Sequence, residues 1–164
     1  MLYLTTTPRV LSLLLSEIAT SAISSPIRDA EAQRLPYLQT VIKEGLRIHP
    51  PLAVLMSKEV PPGGDTLNGV FVPGGTKIGI GVWPLYRDKQ IWGENARVFR
   101  PERWLEKSPE NIKEMDATLE LVFAYGRWQC LGKNVAMLEL NKMFVEVRCL
   151  MDLRTRKKLT EDSC

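Results

Sequence analysis

Proline and glycine clusters divide this chain into segments that cannot share one kind of secondary structure. Pro50 and Pro51 end any helix before them, because proline donates no backbone hydrogen bond and disfavours helix in the preceding residue. Turn sequences follow at residues 61–64 (Pro-Pro-Gly-Gly) and 73–75 (Pro-Gly-Gly). The chain is therefore expected to be helical before residue 50 and to form short strands between residues 52 and 83.

Three main helices are predicted from apolar residues at helical spacing. Thr7 and Pro8 are a typical N-cap and first residue for the first helix, which ends before Ser24-Ser25-Pro26. Its apolar face is Leu11, Leu14, Leu15 and Ile18. The second helix begins near Pro36, and its buried side is Leu38, Val41, Ile42 and Leu46. The third begins after Cys130, with the face Met137, Leu140, Phe144, Val147 and Met151.

The middle of the chain predicts a small antiparallel sheet. Asn68-Gly69 between short apolar runs is typical of a two-residue hairpin turn, and residues 76–82 alternate as a strand does. Residues 84–129 are expected to be irregular, apart from a short helix over 109–119. The predicted fold class is mainly α with a small antiparallel β-sheet, followed by a polar tail over 154–164 that frays.

Composition narrows the possible functions. The 164 residues are 45% apolar and 25% charged, as in a soluble domain. The net charge of +3 is too small, and the Lys and Arg residues are too scattered, to indicate a nucleic-acid partner. The basic run at residues 154–158 is interpreted as a solvated tail. The 3 cysteines are odd in number and lack the Cys-x-x-Cys spacing of a zinc site or disulfide framework. No stretch reaches the roughly 20 apolar residues that cross a bilayer.

Cys130 is the first candidate for chemistry. It lies after a glycine-containing loop and before a predicted helix, whose N-terminal amides favour a thiolate. That position suits a metal ligand or a nucleophile. A lone cysteine is also commonly a small buried apolar residue. A thiol hydrolase would need a histidine, and the sequence does not pair His49 with Cys130.

Two further motifs are weak when each is taken alone. Glu44-x-x-Arg47 places opposite charges on one helix face, as many surface ion pairs do. Phe99-x-Pro101-x-Arg103 has the character of an exposed turn.

Together with Phe123-x-x-Gly126-x-x-x-Cys130-x-Gly132, these motifs resemble, in this order, the signature set of the cytochromes P-450. Ala136-x-x-Glu139 is similar to the family's helix after the cysteine. The resemblance covers residues 1 to about 153, which it identifies as a carboxy-terminal haem-binding portion of the family's fold. The longer strings at 42–51 and 126–133 are most similar to the fungal group that includes pisatin demethylase.

The resemblance implies a role for each residue of the cysteine loop. Cys130 would be the thiolate axial ligand of the iron of haem b, with the following backbone amides tuning the sulfur. Phe123 would shield the sulfur, and Gly126 and Gly132 would let the backbone pass close to the porphyrin.

Charged residues also receive roles from the resemblance. Arg127 would reach one haem propionate, because the family's usual arginine is replaced here by Trp128. Lys58 would contact the other propionate. Glu44, Arg47 and Arg103 would form the family's buried cluster, which holds the loop beneath the haem. None of these residues would do chemistry directly.

The function implied is monooxygenation of a small apolar substrate, with electrons from NADPH through a flavoprotein reductase. The family's fungal microsomal members are expected at the endoplasmic reticulum membrane, facing the cytosol. The Ala-Gly-x-Asp/Glu-Thr motif that delivers protons to dioxygen is missing from the chain. The chain is therefore expected to be a truncated fragment that is inactive alone. A haem-free remnant or interaction module, and a thiol hydrolase using Cys130, are the alternatives.

Overall fold

In this computed structural model the backbone is described for residues 2–161, and the side chains for residues 2–54 and 57–147. Four helices form the first part of the chain: α1 (Leu2–Thr5), α2 (Pro8–Thr20), α3 (Asp29–Ala32) and α4 (Pro36–Ile48). Proline opens both long helices, where its missing N–H is not needed. The predicted bounds and apolar faces of α2 and α4 are confirmed. Thr7 occupies the N-cap of α2, but its side chain makes no capping hydrogen bond.

Four strands form two separate antiparallel pairs, where we predicted one sheet. They are β1 (Leu55–Glu59), β2 (Asp65–Leu67), β3 (Val70–Val72) and β4 (Lys77–Gly81). The pair β2–β3 is the hairpin expected at Asn68-Gly69, and both turn residues have the positive φ that this turn requires. The outer pair β1–β4 places Leu55 opposite Gly81 and Glu59 opposite Lys77.

The segment predicted to be irregular, apart from one short helix, contains four α-helices, of which three were not predicted. Three are single turns: α5 (Val82–Leu85), α6 (Lys89–Trp92) and α7 (Arg103–Glu106). The fourth, α8 (Pro109–Glu120), confirms the predicted short helix and is capped by the Ser108 side chain. These single-turn helices are too short to show a repeated apolar spacing. They depend on tertiary contacts rather than on an amphipathic face.

The last helix, α9 (Lys133–Glu161), begins after the cysteine loop and continues into the predicted polar tail. The expectation that this tail frays from residue 154 is not what the backbone shows, since it is helical to Glu161. Side chains from residue 148 onward, including Met151, lie outside the described residues. The predicted face of α9 is only half-buried, and Asn141 and Val145 are its deepest side chains. The helix is rotated from the expected orientation, and part of the predicted apolar face borders a cavity.

The buried apolar side chains form two clusters. One lies between α1, α2, α4 and α9, and the other among α5, α6, α7 and α8 and the start of the cysteine loop. Leu46 of α4 and Met137 of α9 contact both clusters. The fold class is confirmed as mainly helical with small antiparallel strand pairs. Within residues 2–161, no helix is long and apolar enough to cross a membrane.

Candidate functional site

The structure brings Glu44, Arg47 and Arg103 together in the interior, and we call these three residues the inner cluster. The Arg47 guanidinium donates to both carboxylate oxygens of Glu44, at 2.8 Å and 2.9 Å. Arg103 Nε donates to the same two oxygens, at 3.0 Å and 3.1 Å. The side chains are at most 1% exposed. The interpretation of Arg103 as part of an exposed turn is therefore wrong.

Buried charges are costly unless every group is paired, and backbone carbonyls complete the pairing here. Arg47 donates to the carbonyls of Tyr86 and Ala96, both at 2.6 Å. Arg103 donates to the carbonyls of Trp92 at 2.7 Å and Asn95 at 3.0 Å. The two guanidinium groups thus satisfy the irregular backbone between α5 and α7. This explains how a segment without long helices stays ordered.

Trp104 belongs to the same site, although no role for this residue was predicted from the sequence. Its indole Nε1 donates to Glu44 Oε2 at 3.1 Å, and the backbone N–H of Arg100 donates to Glu44 Oε1 at 2.8 Å. The side chain of Arg100 instead pairs with Glu106 at the surface. The only sequence signal for Trp104 was its position next to Arg103 in an aromatic-rich motif.

The cysteine loop, residues 121–132, connects α8 to α9. Its two ends are joined by an ion pair between Glu120 and Lys133, and the Lys133 ammonium lies 5.6 Å from the centre of the Phe123 ring. Inside the loop, the N–H of Cys130 donates to the carbonyl of Phe123 at 2.7 Å. Gly126 has φ +63°, a conformation that favours glycine. These contacts fold the loop back on itself, so that Cys130 lies beside Phe123 near the start of the loop.

The thiol of Cys130 is exposed and forms no disulfide. A Cβ atom added to Gly132 would lie 3.8 Å from Sγ, so the sulfur lies over the start of α9. The amides of Leu131 and Gly132 donate to no protein acceptor among the described residues. Free amides at a helix start can hydrogen-bond an anionic sulfur. The loop therefore presents a sulfur that suits a metal ligand.

Apolar surface surrounds this thiol. Tyr125 is 76% exposed, Trp128 62%, and Leu131 fully exposed. An apolar cavity of about 720 Å³ lies between α1, α4 and α9, and it shares Phe123 with the cysteine loop. Its wall also includes Leu46, Ala136, Glu139, Leu140 and Met143. Exposed apolar residues next to such a cavity indicate a face that another apolar group covers.

The remaining predicted site residues lie outside these clusters. Lys58 is exposed on β1, and the guanidinium of Arg127 lies 5.4 Å from the centre of the Trp128 ring. Neither forms an ion pair with the described side chains. His49 borders the cavity, and in the part of the chain described here no hydrogen bond joins it to Cys130. The geometry gives no support to a thiol hydrolase.

Comparison with known families settles the family of this chain. Residues 1–148 match the family model described as cytochrome P-450. The chain belongs to the cytochrome P-450 family. Cytochromes P-450 carry haem, so the exposed thiol and its apolar surroundings are to be considered as part of a haem site.

Curated fungal cytochromes P-450 are similar to this chain over most of its length. It is 42% identical to the cytochrome P-450 monooxygenase ABA1 of Pyricularia oryzae, over 99% of this chain and 33% of that protein. It is 41% identical to pisatin demethylase of Fusarium vanettenii, over 88% of this chain and 27% of that protein. The expected similarity to the group that includes pisatin demethylase is confirmed. The chain spans about a third of the length of the curated relatives it matches.

The residues present fit a haem group on one side. Among the described residues, the exposed sulfur of Cys130 could ligate an iron, and the amides of Leu131 and Gly132 could hydrogen-bond that sulfur. The exposed apolar side chains of the loop could contact a flat, largely apolar ring. No group of three potential metal-ligating side chains occurs among the described residues.

Proposed function

We propose that the complete protein is a haem-thiolate monooxygenase, in which Cys130 is the axial ligand of the iron of haem b. The observation that carries this proposal is the exposed Cys130 sulfur, which lies above a helix start whose amides bind no described protein acceptor. When bound, the haem would supply activation of dioxygen, and the thiolate would favour cleavage of the O–O bond.

The residues of this chain have supporting parts in that function. The carbonyl of Phe123 accepts the N–H of Cys130 at 2.7 Å, and the Phe123 ring would shield the sulfur, as the family resemblance implies. The inner cluster would fix the backbone between α5 and α7 and, through the core around Trp104, the loop itself. Arg127 and Lys58 are free to offer positive charge to haem propionates. Residues 1–153 would form this haem-binding portion, with residues 154–164 as a tail.

Electrons would come from NADPH through a flavoprotein reductase, as the family resemblance implies. The substrate would be a small apolar molecule, as the family resemblance also implies. The names of the relatives, a monooxygenase and a demethylase, suggest oxidation of an organic substrate. We expect the complete protein at the endoplasmic reticulum membrane, facing the cytosol.

The thiolate assignment is tested by spectroscopy of the complete protein. Reduced and exposed to carbon monoxide, the haem protein should show the red-shifted Soret band of thiolate ligation. Cys130→Ser should lose this band, because an alcohol is not ionised at neutral pH and cannot replace the thiolate. Cys149→Ser is the matched control and should keep it. An unchanged spectrum in Cys130→Ser would show that another residue binds the iron.

A further inference from the structure

A second polar cluster lies beside the segment that carries Arg103. While Arg103 enters the inner cluster, its neighbour Glu102 binds Arg9 and Tyr37. Arg9 donates from Nη1 to Oε1 of Glu102 at 2.6 Å and from Nη2 to Oε2 at 3.1 Å, which makes a bidentate ion pair. The Tyr37 hydroxyl donates to Oε1 at 2.7 Å. We call Arg9, Tyr37 and Glu102 the outer cluster.

The carboxylate of Glu102 is held in its charged form. Its side chain is 15% exposed, whereas that of Arg9 is 59% exposed. Burial opposes ionisation, but the hydrogen bonds from Arg9 and Tyr37 outweigh it and lower the pKa of Glu102 to about 2. The contacts are therefore charge-assisted at neutral pH, and such bonds are stronger than those between neutral groups.

The outer cluster joins the same elements whose charges meet in the inner cluster. Tyr37 is at the start of α4, the helix that carries Glu44 and Arg47. Glu102 is the N-cap residue of α7, which begins with Arg103. Arg9 comes from α2 and pairs with Glu102. Glu102 and its partners thus set the position of α7 against α4 from outside the core.

A continuous set of contacts leads from α7 to the cysteine. Trp104 follows Arg103, and its ring is in the same apolar cluster as Trp92, Val122 and Phe123. The rings of Trp92 and Trp104 meet edge to face, with centres 5.6 Å apart. The carbonyl of Phe123 in turn accepts the N–H of Cys130 at 2.7 Å. A displacement of α7 would therefore reach the backbone that holds Cys130.

We propose that Glu102 is a positioning residue for Cys130, acting through α7, Trp104 and Phe123. The proposal rests on the proposed function, in which the Cys130 sulfur must stay on the haem iron. The outer cluster would thus help to keep the bond between the Cys130 sulfur and the iron, in addition to any general contribution to stability.

The test compares two glutamates of the same short segment in the complete protein. Glu102→Gln removes the charge held by Arg9 and Tyr37, whereas Glu106→Gln removes a surface partner of Arg100 and is the matched control. The reduced carbon monoxide complex is placed in moderate urea, and the decay of the thiolate Soret band is followed. Glu102→Gln should speed this decay about tenfold, as expected for the loss of one charge-assisted hydrogen bond. Glu106→Gln should leave it unchanged.

A second measurement separates positioning from stability. Unfolding is followed by tryptophan fluorescence under the same conditions, and Glu102→Gln should speed the band decay more than the unfolding. Equal acceleration of both would overturn the inference, as would equal band decay in the two glutamine variants. Arg9→Lys, which keeps the charge, should decay more slowly than Arg9→Met.

Two outcomes are assigned in advance. If Glu102→Gln does not fold, Tyr37→Phe decides, because it removes only one hydroxyl. Band decay that is accelerated more than unfolding supports the inference, and equal acceleration or an unchanged rate overturns it. A wild-type protein without the thiolate band would contradict the proposed function itself. The two failures are thereby distinguishable.

Discussion

At the scale of single residues, Glu44 shows how the chain tolerates charge in its interior. Its carboxylate accepts hydrogen bonds from two guanidinium groups, one indole and one backbone amide. Buried ion pairs of this kind stabilise only when every donor and acceptor is used. The leftover guanidinium N–H groups of Arg47 and Arg103 all find carbonyls in the irregular segment 86–98. Removing one member leaves the others unpaired.

Arg103→Ala is expected to lower the free energy of unfolding by about 3–5 kcal/mol, because it leaves a buried carboxylate with only one of its two guanidinium partners. Urea unfolding and the ratio of haem to protein after purification measure the effect in the complete protein. Arg100→Ala is the matched control. The side chain of Arg100 pairs only at the surface, and alanine keeps the backbone N–H that binds Glu44. A change of about 1 kcal/mol or less is expected there, and equal losses in the two variants would contradict the cluster.

At the scale of elements, α4 is fixed at its start by a residue from another helix. Pro36 opens it, and Leu35 at the N-cap offers no side-chain acceptor. Glu17 of α2 supplies the missing acceptor: its two oxygens take the N–H groups of Tyr37 and Leu38, at 2.7 Å and 2.8 Å. A negative charge at this position also interacts favourably with the helix dipole. The helix that carries Glu44 and Arg47 is thereby capped from outside.

Glu17→Ala is expected to lower the free energy of unfolding by about 1–2 kcal/mol, the usual effect of removing a helix cap. Thermal and urea unfolding of the complete protein measure it. Ser16→Ala is the control, since Ser16 is exposed on the same helix and its side chain makes no hydrogen bond among the described residues. No loss in Glu17→Ala would mean that water caps α4 equally well.

At the scale of the whole molecule, apolar surface is concentrated around the cysteine loop and the first turns of α9. Tyr125, Trp128, Leu131 and Val135 are each at least 60% exposed. The cavity between α1, α4 and α9 adds more apolar surface beside them. Patches larger than a few hundred Å² are unusual on a soluble monomer and favour association.

Residues 1–164 expressed alone are therefore expected to self-associate and to bind an apolar fluorescent dye. Size-exclusion chromatography and dye fluorescence measure these two effects. Leu131→Asp should reduce both association and dye binding, whereas Ser108→Asp, far from this surface in sequence, should not. A monomer that binds no dye would contradict the expectation.

Features that depend on neighbouring residues could be predicted from the sequence alone. The bounds of α2, α4 and α8 and the hairpin at Asn68-Gly69 follow from proline positions, apolar spacing and turn preference, all of which act within a few residues. The order of the three motifs also identified the family. Each turn, helix and motif that was predicted correctly is encoded within one short stretch of the chain.

The identity of the buried charges and of their partners could not be predicted from the sequence, because it depends on the tertiary structure. Glu44 and Arg103 are 59 residues apart, and Arg9 and Glu102 are 93 residues apart. Their pairing depends on how α2, α4 and α7 are placed by the core, which no local pattern describes. The rotation of α9 and the single-turn helices α5, α6 and α7 were missed for the same reason. Short elements and buried polar contacts take their stability from distant partners, so they exist only once the chain has folded.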